Sequence, residues 1–341
     1  MKTYPQILSS YNIARKCDVV FSEIVTHEQY DAISSKNECE IISFNKNFVF
    51  YKLKYMDLTD NDIIFLNTMT VDNLFFYLSK LPKIKNLKII THQTDLAINE
   101  KLFRKKPECV SDWYSPNLKY EDKNLHPIPL GIANNYSNKN LTVKNFVNIN
   151  KDIEKVEKLY VNFVENTNQT KRAGLFDYFN DKKWANCDEP NLSLDEYKQK
   201  ILSHKFILCP PGNGIDTHRM WESLYLGSIP VVEKKIGYKK YSELPVIEYE
   251  NIEELNQNYL NKCYKELNLS NLDFLNIDYW INPIKENKKD VKNSEIQTVV
   301  FNKYFDTYFN KKNRSIRKIE SILKKYKFYL NKIIKLYKKW Y

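Results

Sequence analysis

The sequence predicts an α/β protein made of two strand–helix–strand units followed by a basic helical tail. Short apolar runs alternate with stretches of helical spacing, a polar Asn-rich stretch over 132–156 interrupts that alternation, and the last 31 residues are strongly basic. A chain of 341 residues is long enough for two domains. Its hydrophobic content of 43%, with 18 Phe and 25 Tyr, furnishes a core for each and excludes a disordered polymer.

In the first unit, residues 18–25 and 41–53 carry the β-branched and aromatic side chains of strands. Another apolar run occupies 62–66, the apolar residues of 71–81 recur at helical spacing, and 87–91 and 127–130 read as buried strands. Ligands of parallel sheets gather beyond the carboxyl ends of strands, which directs attention to the segment from Thr91 to Asp95. The stretch 132–156 reads as a linker. In the second unit, 159–164 is a strand, and a polar loop leads to Lys171 and Arg172 at the start of a helix. Ser193 and Glu196 form a capping box for a helix ending near Ser203. Residues 206–209 form a buried strand, Asp216 or Thr217 caps the next helix, Gly227 ends it, and 229–232 is the following strand. The expected domains are 1–150, 151–290 and a tail over 291–341.

Glycine is scarce, with 6 in the chain, and three of these (Gly212, Gly214, Gly227) fall within 16 residues. Gly212 and Gly214 sit between strand and helix, where glycine permits positive φ and close approach to a ligand. The helix N-terminus behind them offers free N–H groups and a positive dipole end suited to phosphate. His218 and Arg219 add cationic donors, and Glu222 lies one turn further on the same face, where a ribose diol is its natural partner. Asn213 is placed either to hold the loop or to touch a ligand. A Walker A loop is excluded, because no lysine follows the glycine pair. The dinucleotide pattern fails at its third position, where Thr217 stands.

The segment 204–232, HKFILCPPGNGIDTHRMWESLYLGSIPVV, resembles the donor-binding signature of exostosin-like glycosyltransferases, in which a strand, P-x-G-N-G, HR-x-W-E-A-L and G-x-I-P-V-V follow in that order. Ser223 stands where Ala is usual. Weaker likenesses cover 89–95, 126–134 and 161–172. The resemblance implies a GT-B architecture, two Rossmann-like domains facing across a cleft, with a nucleotide-sugar donor on the second and no required metal. A D-x-D-like acidic pair after an apolar strand is also lacking. On this reading Gly212, Asn213, Gly214, Asp216, His218, Arg219 and one of Lys171 and Arg172 surround the diphosphate, and Glu222 takes the ribose. Inversion at the anomeric carbon needs a base, which in GT-B enzymes comes from the first domain; Asp95 or His92 could serve. The expected reaction is metal-independent, inverting glycosyl transfer from a nucleotide-diphosphate sugar to a surface-glycan or lipid-linked acceptor. The alternative is an inactive sugar-nucleotide- or glycan-binding subunit of a membrane-associated complex.

The chain holds 53 Lys and Arg against 42 Asp and Glu. The whole excess of +11 lies in 311–341, so the body is neutral and does not suggest nucleic-acid binding. Within the tail, apolar residues recur at helical spacing from Ile316 to Trp340, with lysines at most other positions. An anionic membrane surface, the enzyme's own first domain and a partner helix are the candidate docking sites. Six dispersed cysteines without a C-x-x-C pair read as reduced thiols and argue against zinc. Neither a signal peptide nor an apolar run of about 18 residues is visible, so the expected location is cytoplasmic. Membrane docking predicts that the full chain pellets with phosphatidylserine-containing vesicles and that deletion of 311–341 leaves it in the supernatant.

Overall fold

The computed structural model describes residues 6–33, 36–81, 83–147, 149, 153–234, 243–287 and 295–302. The amphipathic stripe expected over 311–341 lies outside the described residues. Two mainly parallel sheets organise the rest. The first has strands β1 (Val19–Val25), β2 (Cys39–Phe44), β3 (Val49–Leu53), β5 (Ile63–Asn67), β6 (Leu87–His92), β7 (Val110–Ser115) and β8 (Leu125–Pro127), with β4 (Tyr55–Leu58) outside it. Their order is β2-β3-β1-β5-β6-β7-β8. The run from β1 through β5 to β8 is parallel, and β2 and β3 add an antiparallel edge. Every residue of β5 and β6 is buried, which is why those segments show no polar alternation.

The second sheet is wholly parallel, in the order β10-β9-β11-β12-β13, from β9 (Val156–Val161), β10 (Ala185–Cys187), β11 (His204–Leu208), β12 (Ile229–Glu233) and β13 (Ile247–Tyr249). The chain moves outward from β9 to β10 and then returns to the other side at β11. Open parallel sheets place their ligands at such a reversal, here in the crevice expected beyond the carboxyl ends of β9 and β11. Gly227 ends the His218–Tyr225 helix at φ +73°, and the Ser193 capping box opens the Leu194–Ser203 helix, both as the sequence indicates.

Several local expectations need correction. The stretch 41–53 is a hairpin and not one strand, because the Asn45 side chain accepts from the Asn47 and Phe48 amides at 2.8 and 3.2 Å and turns the chain. The strand β7 escaped notice because Ser111 and Asp112 break its apolar pattern. The stretch 132–156 is not a free linker, since Leu141 and Phe146 are buried and Ala133 bridges to Thr142. Lys171 and Arg172 end the short Gln169–Arg172 helix and do not open it.

One apolar cluster joins the two halves, with Ile13, Phe65, Ile90 and Ile128 packed into the same core as Tyr160, Ile207, Trp221 and Leu226. Separate clusters fill the far side of each sheet. The chain then returns to the first half. The amide of Ile277 donates to the Gln6 carbonyl at 2.9 Å, and the buried Lys88 ammonium donates to the Ile284 and Asn287 carbonyls at 2.5 and 2.6 Å. Strand β14 (Gln297–Val300) pairs with β4, so the segment expected to begin the helical tail opens with a strand built onto the first half. Among the described residues no helix is long and apolar enough to cross a membrane.

Gly131 is the tightest point of the junction. It sits at φ +68°, and a Cβ there would lie 2.5 Å from the Leu8 carbonyl oxygen. Gly174, at φ +77°, has open space around it. Gly174→Ala is therefore expected to cost only the left-handed penalty of about 1–2 kcal/mol. Gly131→Ala should cost about 3 kcal/mol or more, since strain and a backbone clash add. Urea unfolding of the two variants measures the difference.

Candidate active site

The crevice beyond β9 and β11 is bounded by the loop after β9, the Pro210–Thr217 loop and the first turn of the His218–Tyr225 helix. Arg172 ties the first two together. Its guanidinium is buried and donates to the carbonyls of Val164, Pro210 and Pro211 at 3.1, 2.9 and 2.9 Å and to the Thr167 hydroxyl at 2.7 Å. With its donors engaged in this way, Arg172 holds the loops rather than offering itself to a ligand. Burial, with the neighbouring Arg219 charge added, lowers its pKa to about 10, so it remains a cation at neutral pH. Gly212 lies against it, a Cβ there falling 3.3 Å from the Arg172 Nη2. The Gly212 carbonyl accepts from the Asn168 amide group at 2.8 Å.

Arg219 is used differently. Its Nε donates to the Tyr197 hydroxyl at 3.0 Å, and that hydroxyl donates to Glu222 Oε2 at 2.8 Å. The two η nitrogens of Arg219 make no hydrogen bond among the described residues. Arg172 and Arg219 both lie over the Phe163 ring, at 5.3 and 5.9 Å from its centre. The two guanidinium groups thus lie over one ring, and among the described residues Glu222 is the carboxylate linked to Arg219, through Tyr197. Lys171, half exposed, joins the same rim and pairs with Glu233 at the end of β12 at 2.5 Å. The amides of Gly212, Asn213, His218 and Arg219 make no hydrogen bond among the described residues, whereas Thr217 caps the helix by accepting from Met220 at 3.4 Å. Asn213 is exposed at the loop tip.

The remaining sequence-selected residues join the two halves. Neither Gly212 nor Gly214 has positive φ, contrary to expectation. Gly214 is required for another reason, since a Cβ there would lie 2.8 Å from the Asn117 side-chain oxygen, which also accepts from the Ile215 amide at 2.7 Å. Asp216 is buried and does not face the crevice. It accepts from the Leu130 amide at 2.9 Å, from the Thr217 amide at 2.7 Å and from the Trp221 indole at 2.9 Å. His218 donates from Nδ1 to the Gly131 carbonyl at 2.7 Å. Burial holds its pKa below the usual histidine range, with the Gly131 bond and the nearby Asp95 charge acting in the opposite direction. His218 is thus neutral at pH 7, not the cation expected.

His92 and Asp95 separate in role. His92 is buried at the end of β6, donates from Nε2 to the Pro129 carbonyl at 3.1 Å and accepts at Nδ1 from the Gln93 amide at 2.8 Å. Burial, opposed by the Pro129 bond and joined by His218, pushes its pKa down to about 4. With both nitrogens occupied it holds the turn at Gln93, whose φ is +66°, and has no lone pair left to act as a base. Asp95 is exposed at the rim beside His218. Glu222 is 2% exposed and its carboxyl is enclosed, so a ribose diol does not reach it in this conformation. Tyr197, Phe163, Asn117 and Gly131 were missed by sequence reading. The proximity of Gly131 to a motif 87 residues away leaves no local signal, and Tyr197 looks like any helix residue.

Among the described residues, no three His, Cys, Asp or Glu side chains gather as a metal site would require. The family model of the RXYLT1 C-terminal domain, an exostosin-family-related domain, matches residues 145–280. That family is glycosyltransferase-like. The matched stretch spans the second sheet, the Arg172 loop, the His218–Tyr225 helix and the first turn of the Ile277–Glu286 helix that returns to the first half. No curated protein matches the chain.

Burial raises the Glu222 carboxyl to about 7, with Arg219, Tyr197 and the Leu141 backbone partly opposing the rise. A carboxyl raised from its unfolded value near 4.5 contributes stability that is present below pH 4.5 and lost as pH rises through about 7. Glu222→Gln has no such proton to lose. It should match the wild type at acid pH and exceed it in unfolding free energy above pH 7 by up to about 3 kcal/mol. Chemical denaturation across pH 4–8 measures this; a constant offset between the two proteins contradicts it.

Proposed function

We propose that the chain is a glycosyltransferase that takes its sugar from a nucleotide-diphosphate donor held in the crevice beyond β9 and β11. The observation that carries the reading is a guanidinium, that of Arg219, whose η nitrogens make no hydrogen bond among the described residues, beside the buried Arg172 charge and in the first turn of the His218–Tyr225 helix. A diphosphate is the ligand such a set suits. It accepts from a guanidinium bidentately and from backbone N–H groups at a helix start. Fixed positive charge in a partly desolvated mouth also stabilises the charge that develops on a departing nucleoside diphosphate. On this reading Arg219, Lys171 and the Gly212–Asn213 amides bind the diphosphate. Arg172 positions the loops, and Glu222 with Tyr197 sets the angle of Arg219. The family match over the same residues supports a glycosyl rather than a phosphoryl transfer.

The reading includes metal-independent transfer with inversion, a GT-B-like pairing of the two sheets, and an acceptor glycan entering from the side of Asp95. Docking of 311–341 on an anionic membrane would bring a lipid-linked acceptor to that side.

Calorimetric titration with UDP, GDP and TDP provides the test. One of the three should bind with unchanged affinity in EDTA. Arg219→Ala should weaken that binding at least about tenfold, the loss of one charge-assisted contact. Wild-type affinity in Arg219→Ala would remove the diphosphate assignment.

A further inference from the structure

We infer that His218 is the catalytic base of the transfer, accepting at Nε2 the proton of the attacking hydroxyl. The inference rests on the glycosyltransferase reading above and deepens it by naming the group that touches the acceptor.

The tautomer of His218 follows from its partner. The Gly131 carbonyl can only accept, so Nδ1 carries the proton and Nε2 carries a lone pair. Nε2 makes no hydrogen bond among the described residues, and the residue is mostly but not fully buried. In this form Nε2 cannot donate to a phosphate oxygen. It requires a donor from a ligand, and a sugar hydroxyl or water is the donor that a transfer reaction brings. Arg172, Arg219 and Lys171 around the mouth only donate, and His92 has both nitrogens in use.

The ring is also held in place for such a role. Asp216 and His218 fasten the two adjacent residues Leu130 and Gly131 from the helix side. The Gly131 carbonyl is itself fixed by the close packing of Gly131 on Leu8. The charged and titratable groups that bear on the ring are His92 from the end of β6 and Asp95 from the loop after it. His92 is neutral, and the Asp95 carboxylate stabilises the imidazolium formed when Nε2 takes a proton. In the step, the acceptor oxygen forms its bond to the anomeric carbon as its proton passes to Nε2. The bond from that carbon to the diphosphate oxygen breaks, and its electron pair leaves with the nucleoside diphosphate. His218 sits next to Arg219, so the proton acceptor and the leaving-group contact come from consecutive residues.

The test uses UDP-glucose, GDP-mannose and dTDP-glucose as probes, with water as the acceptor and nucleoside diphosphate release as the readout. His218→Asn keeps a donor near the Nδ1 position and removes the Nε2 lone pair. Its donor affinity should stay within about threefold of wild type while the release rate falls at least about 100-fold. Added imidazole should restore part of the rate in His218→Ala, which a purely structural role would not allow. A release rate within about threefold of wild type in His218→Asn overturns the inference, as does a loss of donor affinity equal to that of Arg219→Ala. Failure of these arms with donor binding intact strikes the base assignment alone. A wild-type chain that binds none of the three probes removes the transferase reading and this inference together.

Discussion

The arrangement depends on how the first turn of the His218–Tyr225 helix is bound to the backbone at Leu130 and Gly131. Asp216 is a buried carboxylate, and such a group is tolerated only when donors surround it. It finds them in its own loop, in the Trp221 indole and in the Leu130 amide of the other half. The next contact, from His218 to the Gly131 carbonyl, uses a chain path open only to glycine, because the Leu8 backbone occupies the place a Cβ would take. The helix that presents Arg219 to the crevice therefore has its direction set by residues outside the second sheet.

A division of labour between two arginines follows. Arg172 and Arg219 lie close enough for their charges to interact, yet Arg172 spends its donors on three backbone carbonyls and a hydroxyl, while among the described residues the Arg219 side chain donates only through Nε. Bringing a second guanidinium beside an already desolvated one is unfavourable in the empty protein and becomes favourable when an anion enters between loop and helix. Glu222 does not cancel this field at the mouth. It reaches Arg219 only through Tyr197, and burial favours its neutral form until the pH approaches 7.

Much of the framework was legible in the chain. The βαβ unit around 206–232 announced itself through an apolar strand, a capping Thr217 and Gly227 after the last turn, each a local preference that folding preserved. The residues around the crevice were legible in position but less so in role. Arg172 looked like a ligand donor and serves as a clamp, because its four acceptors come from two loops about 40 residues apart. His92 looked like a base, but the Pro129 carbonyl, supplied by the segment that follows β8, accepts from its proton-bearing nitrogen. Gly214 looked like room for a ligand and is room for Asn117.

Periodicity, caps and glycine placement are properties of neighbours along the chain, so the sequence alone determined the α/β class, the limits of the Leu194–Ser203 and His218–Tyr225 helices and the motif where polar chemistry collects. Protonation state and access are properties of neighbours in space. Only the tertiary structure decided that His218 is neutral, that Glu222 is enclosed, and that Arg172 rather than Arg219 spends its donors on loop carbonyls. Each depends on a carbonyl, a ring or a second cation that arrives from a distant stretch of chain, and desolvation acts on a side chain only after those neighbours have closed around it.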